Sequence, residues 1–245
     1  MTSLPKEDPL KPIYRESFIE NPLREKDLQT RDTALLCIDM QYLDAAEGYG
    51  LFRDYDKSPI PLEEMAYYFD RLKSTVLPNV HNLQNCFRSY GLEVIHVRIQ
   101  SLTRDGRDRS KGHKRLELHA APGSGDACFL EEVAPVGDEI IINKTASGVF
   151  SSTNLHYVLN NMEISSLYVC GVYTNECVET TVRDACDLGY LVTIIDDGCA
   201  TVTPELHTAS LKTLRDRYAR IITAEEAIAD VEEYGVRRRS QPKVI

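Results

Sequence analysis

The chain of 245 residues lacks the features that mark several large protein classes. It has no apolar run approaching the ~20 residues of a membrane span. Its start, "MTSLPKEDPLKP", lacks the basic-then-apolar layout of a signal peptide. A cytosolic protein is expected. Basic residues number 28 against 38 acidic ones, a net charge of −10, which argues against nucleic acid or anionic membrane as a partner. No G-x-G-x-x-G follows any apolar run, which disfavours a nucleotide-binding dehydrogenase. The cysteines (Cys37, Cys86, Cys128, Cys170, Cys177, Cys186 and Cys199) are odd in number and form neither a C-x-x-C pair nor a zinc-finger spacing. Disulfides and structural metal are therefore not expected, and most of these thiols read as small core hydrophobes. Internal repeats are absent.

What the chain does have is a rhythm. Six β-branched or aliphatic runs, "TALLCID" (33–39), "LEVIHVRI" (92–99), "DEIIINK" (138–144), "SLYVCGV" (166–172), "YLVTIIDD" (190–197) and "ARIIT" (219–223), alternate with helical patterns over 63–90, 151–162, 175–188 and 204–218. Strands that are apolar on both faces and alternate with helices predict an α/β fold: a doubly wound, mainly parallel six-stranded sheet with helices on both faces. Residues 1–31 read as an extension wrapping the domain or a neighbouring subunit, 32–235 as one domain, and 236–245 as a basic tail, frayed or acting as an arm. Segment 100–127 breaks the rhythm as a long polar insertion.

Ligands in such sheets bind beyond the carboxyl ends of the strands. Three strands end in reactive residues: Asp39, Lys144 and, one turn past the fourth run, Cys177. With Thr174 or Asn175 as N-cap, Cys177 falls in the first turn of a helix, where free N–H groups and the helix dipole stabilise a thiolate and the oxygen of a tetrahedral adduct. Asp39 would serve as general base and Lys144 would steady the pair. Each residue alone has a structural alternative, as an N-cap aspartate, a surface lysine and one more buried sulfur.

Together with their flanking blocks, "LLCIDMQ", "INKTASGVFSSTNLHYVL", "YVCGVYTNECVETTVRDACDLGY" and "DDGCATVTPELHTASL", these residues make residues 30–225 resemble the isochorismatase-like cysteine hydrolases, which include nicotinamidases and N-carbamoylsarcosine, ureidoacrylate and biuret amidohydrolases. The resemblance implies a single isochorismatase-like hydrolase domain with an Asp39–Lys144–Cys177 triad and a thioester intermediate. It also implies a non-proline cis peptide at Val172–Tyr173, an oxyanion hole from the N–H groups of Tyr173 and Cys177, and a homo-oligomer, dimer or tetramer. The metal-binding Asp-x-His pair of nicotinamidases has no counterpart in "HVRIQSLTRDGRD", so neither metal nor other cofactor is expected, and His96 reads as a core histidine. Tyr42, Leu43 and Asp44 replace the acid and phenylalanine that usually follow Gln41, and Tyr173 replaces a small residue; both changes alter the pocket.

The expected activity is C–N hydrolysis of a small carboxamide, N-carbamoyl or ureido compound. The alternatives are vinyl ether hydrolysis of an isochorismate-like diacid, which family members lacking the cysteine perform, and an idle member acting as a binding or assembly module. Candidate substrate contacts are Gln41, Arg98, Phe150 and Tyr173. Arg98 and the arginines of the insertion are read either as anchors for a carboxylate or as a solvated loop or subunit contact.

Overall fold

The apolar runs become parallel strands because both of their faces are buried. In a computed structural model describing residues 9–236, Ala34, Leu36 and Ile38 of β1 (Thr33–Ile38) pack into one core, while Leu35 and Cys37 pack into the other. The remaining strands are β2 (Glu93–Ile99), β3 (Ile141–Lys144), β4 (Ser166–Val172), β5 (Leu191–Ala200) and β6 (Arg220–Ile222). All pairings are parallel, in the order β3-β2-β1-β4-β5-β6. Helices Leu23–Thr30, Leu62–Arg71, Leu77–Tyr90 and Ala224–Tyr234 cover one face; Leu155–Asn161, Glu179–Asp187 and Pro204–Leu214 cover the other. The chain leaves β1 toward β2 and β3 and then returns to β4 on the opposite side. The crevice between the ends of β1 and β4 is thus the topological switch point, where doubly wound sheets bind ligands.

Local chemistry refines several expected boundaries. The pattern at 63–90 is helical throughout, but Leu72–Val76 winds as a wider π-type stretch. Pro78 has no N–H to offer the carbonyl four residues back, which favours such a widening. The pattern at 151–162 divides into Val149–Ser152 and Leu155–Asn161 because Thr153 is extended. β3 starts later than expected, and Glu139 instead turns to Arg88 and His96, with contacts of 2.7 and 2.9 Å. Gly171 is required where β4 presses on β1: its φ is +123°, and a Cβ there would lie 2.0 Å from the carbonyl oxygen of Ile38.

The insertion at 100–127 is folded rather than loose. Asp108 accepts the Leu102 N–H at 2.7 Å and the Thr103 hydroxyl at 2.6 Å. The Ser110 N–H donates to Thr145 O at 2.8 Å, fastening the loop beside the end of β3. Leu118, Ala120 and Ala127 then pack with Leu43 and Ile99 in a small third cluster. Within the described part of the N-terminal extension, Leu28 joins the main core, and Arg24 donates to Thr193 Oγ1 at 2.7 Å and Val192 O at 3.1 Å. The basic tail from 237 onward lies outside the described residues. Among the described residues no helix is long and apolar enough to cross a membrane.

Candidate active site

Asp39 is the first residue past β1. Its N–H donates to Val97 O at 2.9 Å and its φ is +52°, a left-handed conformation that aspartate tolerates better than most residues. Lys144 ends β3, and its Nζ lies 2.9 Å from Asp39 Oδ2. The same ammonium donates to Cys177 Sγ at 3.2 Å and to Ala146 O at 3.1 Å. Three strand ends thus deliver an acid, a base and a thiol to one point. All three are closed from solvent, with exposures of 1% for Asp39, 0% for Lys144 and 4% for Cys177.

Burial and mutual charge set the protonation of the group. Burial works against the Lys144 ammonium, but Asp39 and Cys177 outweigh it and hold the lysine above its usual range. Burial raises Asp39 above the ordinary carboxylate range, with Lys144 opposing. Burial also drives the Cys177 thiol well up; Lys144 opposes this, while Asp39 and Asp44 add to it. In a dry site with two carboxyls and one ammonium, the sulfur keeps its proton until something takes it.

The turn carrying the cysteine differs from expectation for a related reason. Cys177 lies in a π-type turn, Thr174–Val178, ahead of the α-helix Glu179–Asp187, and neither Thr174 nor Asn175 caps it. Tyr173 holds the cap position without a side-chain cap bond. Thr174 Oγ1 instead pairs with His207 Nδ1 at 2.9 Å, and His207 Nε2 with Asp196 Oδ1 at 2.9 Å. Ser210 Oγ donates to Thr174 O at 3.2 Å, and Asn175 Oδ1 accepts from the Thr201 hydroxyl. The turn that carries Cys177 is therefore pinned from the helix Pro204–Leu214. The Val172–Tyr173 peptide is cis.

The other candidate residues divide by what holds them. Gln41 is fully buried and used up by backbone: its amide donates to Ile99 O at 3.0 Å and Asp126 O at 2.9 Å, and its carbonyl accepts the Ile99 N–H at 2.6 Å. It organises the chain after Asp39, with both amide N–H groups and one acceptor site of its oxygen taken by backbone. Arg98 donates to Asn143 Oδ1 and Ala127 O, both at 2.8 Å, and stacks over Phe129; none of these belongs to the triad. Phe150 stacks on Tyr190 at 5.7 Å and packs against the core cluster that includes Cys177. Tyr173 is buried against Tyr68 and donates its hydroxyl to Asp44 O at 3.1 Å. His96 is fully buried, its Nε2 2.9 Å from Glu139.

Two polar residues beside the triad were not among the expected site residues. Asp44 is 3% exposed, and its Oδ2 has no hydrogen-bond partner. Burial holds its carboxyl well above the usual range; Asp39 adds to this and Lys144 opposes it. His113, from the insertion, is also 3% exposed, with an unpartnered Nδ1. Burial, helped by Lys144 and Arg109, lowers it to about 4, so its imidazole is neutral. Asp44 was visible as a departure from the family pattern, whereas His113 lay hidden among surface lysines and arginines. A surface cleft of about 370 Å³, lined by Arg53, Lys57, Leu118, His119 and Asp126 among others, includes no member of the triad. Convergence of charge, not cleft size, marks the site. Among the described residues, no three His, Cys, Asp or Glu side chains cluster to hold a metal ion.

Known proteins repeat this arrangement of strands. The family model of the isochorismatase domain matches residues 33–226. A protein of Arabidopsis thaliana named as a probable inactive nicotinamidase is 32% identical over 193 residues, covering 76% of this chain and 89% of its own. The ureidoacrylate amidohydrolase RutB of Acinetobacter baylyi is 26% identical over 205 residues, covering 77% of this chain and 79% of its own. A cysteine hydrolase from Pseudomonas syringae superposes with a TM-score of 0.67 over 83% of this chain and 94% of its own, at 23% identity, a likeness of fold. With the domain match running from the first strand to just past the last, the chain belongs to the isochorismatase family and is a hydrolase of that family.

Proposed function

We propose that the protein is a cysteine amidohydrolase that cleaves a C–N bond of a small carboxamide, N-carbamoyl or ureido compound through a thioester. The observation that carries this reading is the buried contact of one lysine with both a carboxylate and a thiol, at 2.9 and 3.2 Å. The named activity of a relative, ureidoacrylate amidohydrolase, agrees with it.

The reaction follows from the protonation just described. Cys177 attacks the carbonyl as Asp39 takes the thiol proton, so the S–C bond forms and the carbonyl electron pair moves to oxygen. The N–H groups of Tyr173 and Cys177 hold that oxygen. An Asp39 raised above its ordinary range is a better base than a solvated aspartate, and Lys144 keeps its charge balanced throughout. Collapse breaks the C–N bond, and the departing nitrogen takes the proton from Asp39. Water then attacks the thioester with Asp39 accepting its proton, the C–S bond breaks, and the proton returns to sulfur.

The test is ammonia or amine release from a panel of carboxamides, ureas and N-carbamoyl compounds, with wild type and Cys177→Ala assayed side by side. Turnover by wild type alone is expected. Turnover that survives in Cys177→Ala would reject the thioester route, and a panel without any Cys177-dependent release would reject the amidase reading and make isochorismate the next compound.

A further inference from the structure

Thr174, in the same turn as Cys177, is gripped by both of its polar groups from one helix. Its hydroxyl meets His207 Nδ1 at 2.9 Å, and its carbonyl accepts the Ser210 hydroxyl at 3.2 Å. His207 and Ser210 both belong to Pro204–Leu214 and are spaced so that they share one face of it. All three side chains are buried.

The other end of the imidazole is held as firmly. His207 Nε2 lies 2.9 Å from Asp196 Oδ1 and 3.1 Å from Arg71 Nη2. Arg71 is itself fixed to β5, donating Nε to Cys199 O and Nη2 to Asp196 O, both at 3.1 Å. The His207 hydrogen bond, aided by Arg71 and opposed by burial, holds the Asp196 carboxyl below its usual range, so it stands ready as a charged acceptor. In the neutral ring, an Nε2 proton given to Asp196 leaves Nδ1 to accept the Thr174 hydroxyl. Carboxylate, imidazole and hydroxyl then form one directed chain from β5 to the turn.

That turn moves as a unit. Tyr173 O accepts the N–H of Glu176 at 3.1 Å and of Val178 at 3.2 Å, so a tilt of Thr174 carries the backbone on both sides with it. The sulfur has a separate tether, the Lys144 ammonium at 3.2 Å. We propose, building on the amidohydrolase reading, that His207 is a positioning residue of this site: through Thr174 it fixes the direction in which the Tyr173 and Cys177 N–H groups meet the oxyanion.

Two reagents separate oxyanion placement from thiol reactivity. 4-Nitrophenyl acetate acylates Cys177 through a tetrahedral adduct: the S–C bond forms, the thiol proton passes to Asp39, and the C–O bond to nitrophenolate breaks. Iodoacetamide alkylates the same sulfur by displacing iodide and builds no oxyanion. Both rates are measured on full-length protein, by nitrophenolate release corrected with Cys177→Ala and by mass spectrometry of the Cys177 peptide. His207→Leu should slow acylation about tenfold or more and alkylation by no more than about twofold. Thr174→Val should do the same, and it keeps the test open if His207→Leu does not fold. His207→Asn, whose amide reaches the place of Nδ1, should recover part of the loss, which a packing role would not allow since leucine fills the space better. Equal slowing of both reactions, or acylation unchanged in either His207→Leu or Thr174→Val, overturns the proposal. A wild-type Cys177 that the ester never acylates would overturn the amidohydrolase reading itself and this inference with it.

Discussion

The two ends of the sheet both bury charge, and they treat it in opposite ways. At the amino end each of two carboxylates has its donor: Asp27 accepts from the Ser166 hydroxyl and Asp230 joins Tyr168 to Arg220, while Arg24, 5% exposed, makes two hydrogen bonds to β5 and leaves its Nε and the nearby Thr33 hydroxyl unpartnered. At the carboxyl end, Asp39 has its ion pair but no aligned hydrogen bond on either oxygen, while Asp44 Oδ2 and His113 Nδ1 have no partner at all. Buried polar groups are normally satisfied, so a cluster of incomplete ones marks a place where something else completes them. The amino-end network fastens the extension to the sheet; the carboxyl-end group is the candidate active site.

Mutation can break this contrast at either end. The largest effect belongs to Cys177→Ala, which should lower kcat/KM by ~10³-fold or more while leaving the urea midpoint near that of wild type. Lys144→Ala should remove activity and also about 3–5 kcal/mol of stability in urea unfolding, because Asp39 would remain buried without its cation. Arg24→Ala is the counterpart: it should cost about 2 kcal/mol through lost bonds to Thr193 and Val192 yet leave kcat/KM within about twofold. An Arg24→Ala enzyme that folds but is inactive would erase the contrast.

Titration sharpens it. Asp39 must be ionised to take the thiol proton and burial raises its pKa, so kcat/KM should rise with pH through an acid limb lying above 3.8, the value of an unperturbed aspartate. A limb at or below that value would sink the assignment of Asp39 as base. The smallest effect belongs to His113. Its folded pKa, about 4, lies below the unperturbed 6.5, so the unfolded chain binds the proton first. Its contribution therefore lowers stability as pH falls from 6.5 to 4 and levels off below that. His113→Gln should flatten that window in urea midpoints measured across pH.

Much of this was legible in the chain. Both-face burial gives strands short continuous apolar runs bounded by turn residues, so all six were readable by length and flanks, and rules for strand ends led directly to Asp39, Lys144 and Cys177. The companions were not readable, for separate reasons. Thr174 looked like a cap, but His207, 33 residues away, takes its hydroxyl. Gln41 was read as a substrate contact, and the fold adds that Ile99 and Asp126 hold its amide in place. Arg98 was read as an anion anchor, and the fold adds that Asn143 and Ala127 orient its guanidinium through two hydrogen bonds. Polar side chains choose partners across the fold, and their number in a motif does not reveal which will be left over.

The sequence by itself determined the order of strands and helices, the three reactive strand ends and the family, because these depend on local periodicity and on the residues that finish each run. Only the tertiary structure decided the protonation of the thiol, the occupation of the arginines and the unpartnered state of Asp44. Desolvation and pairing are properties of the space around a group, and that space is built by segments far apart in the chain.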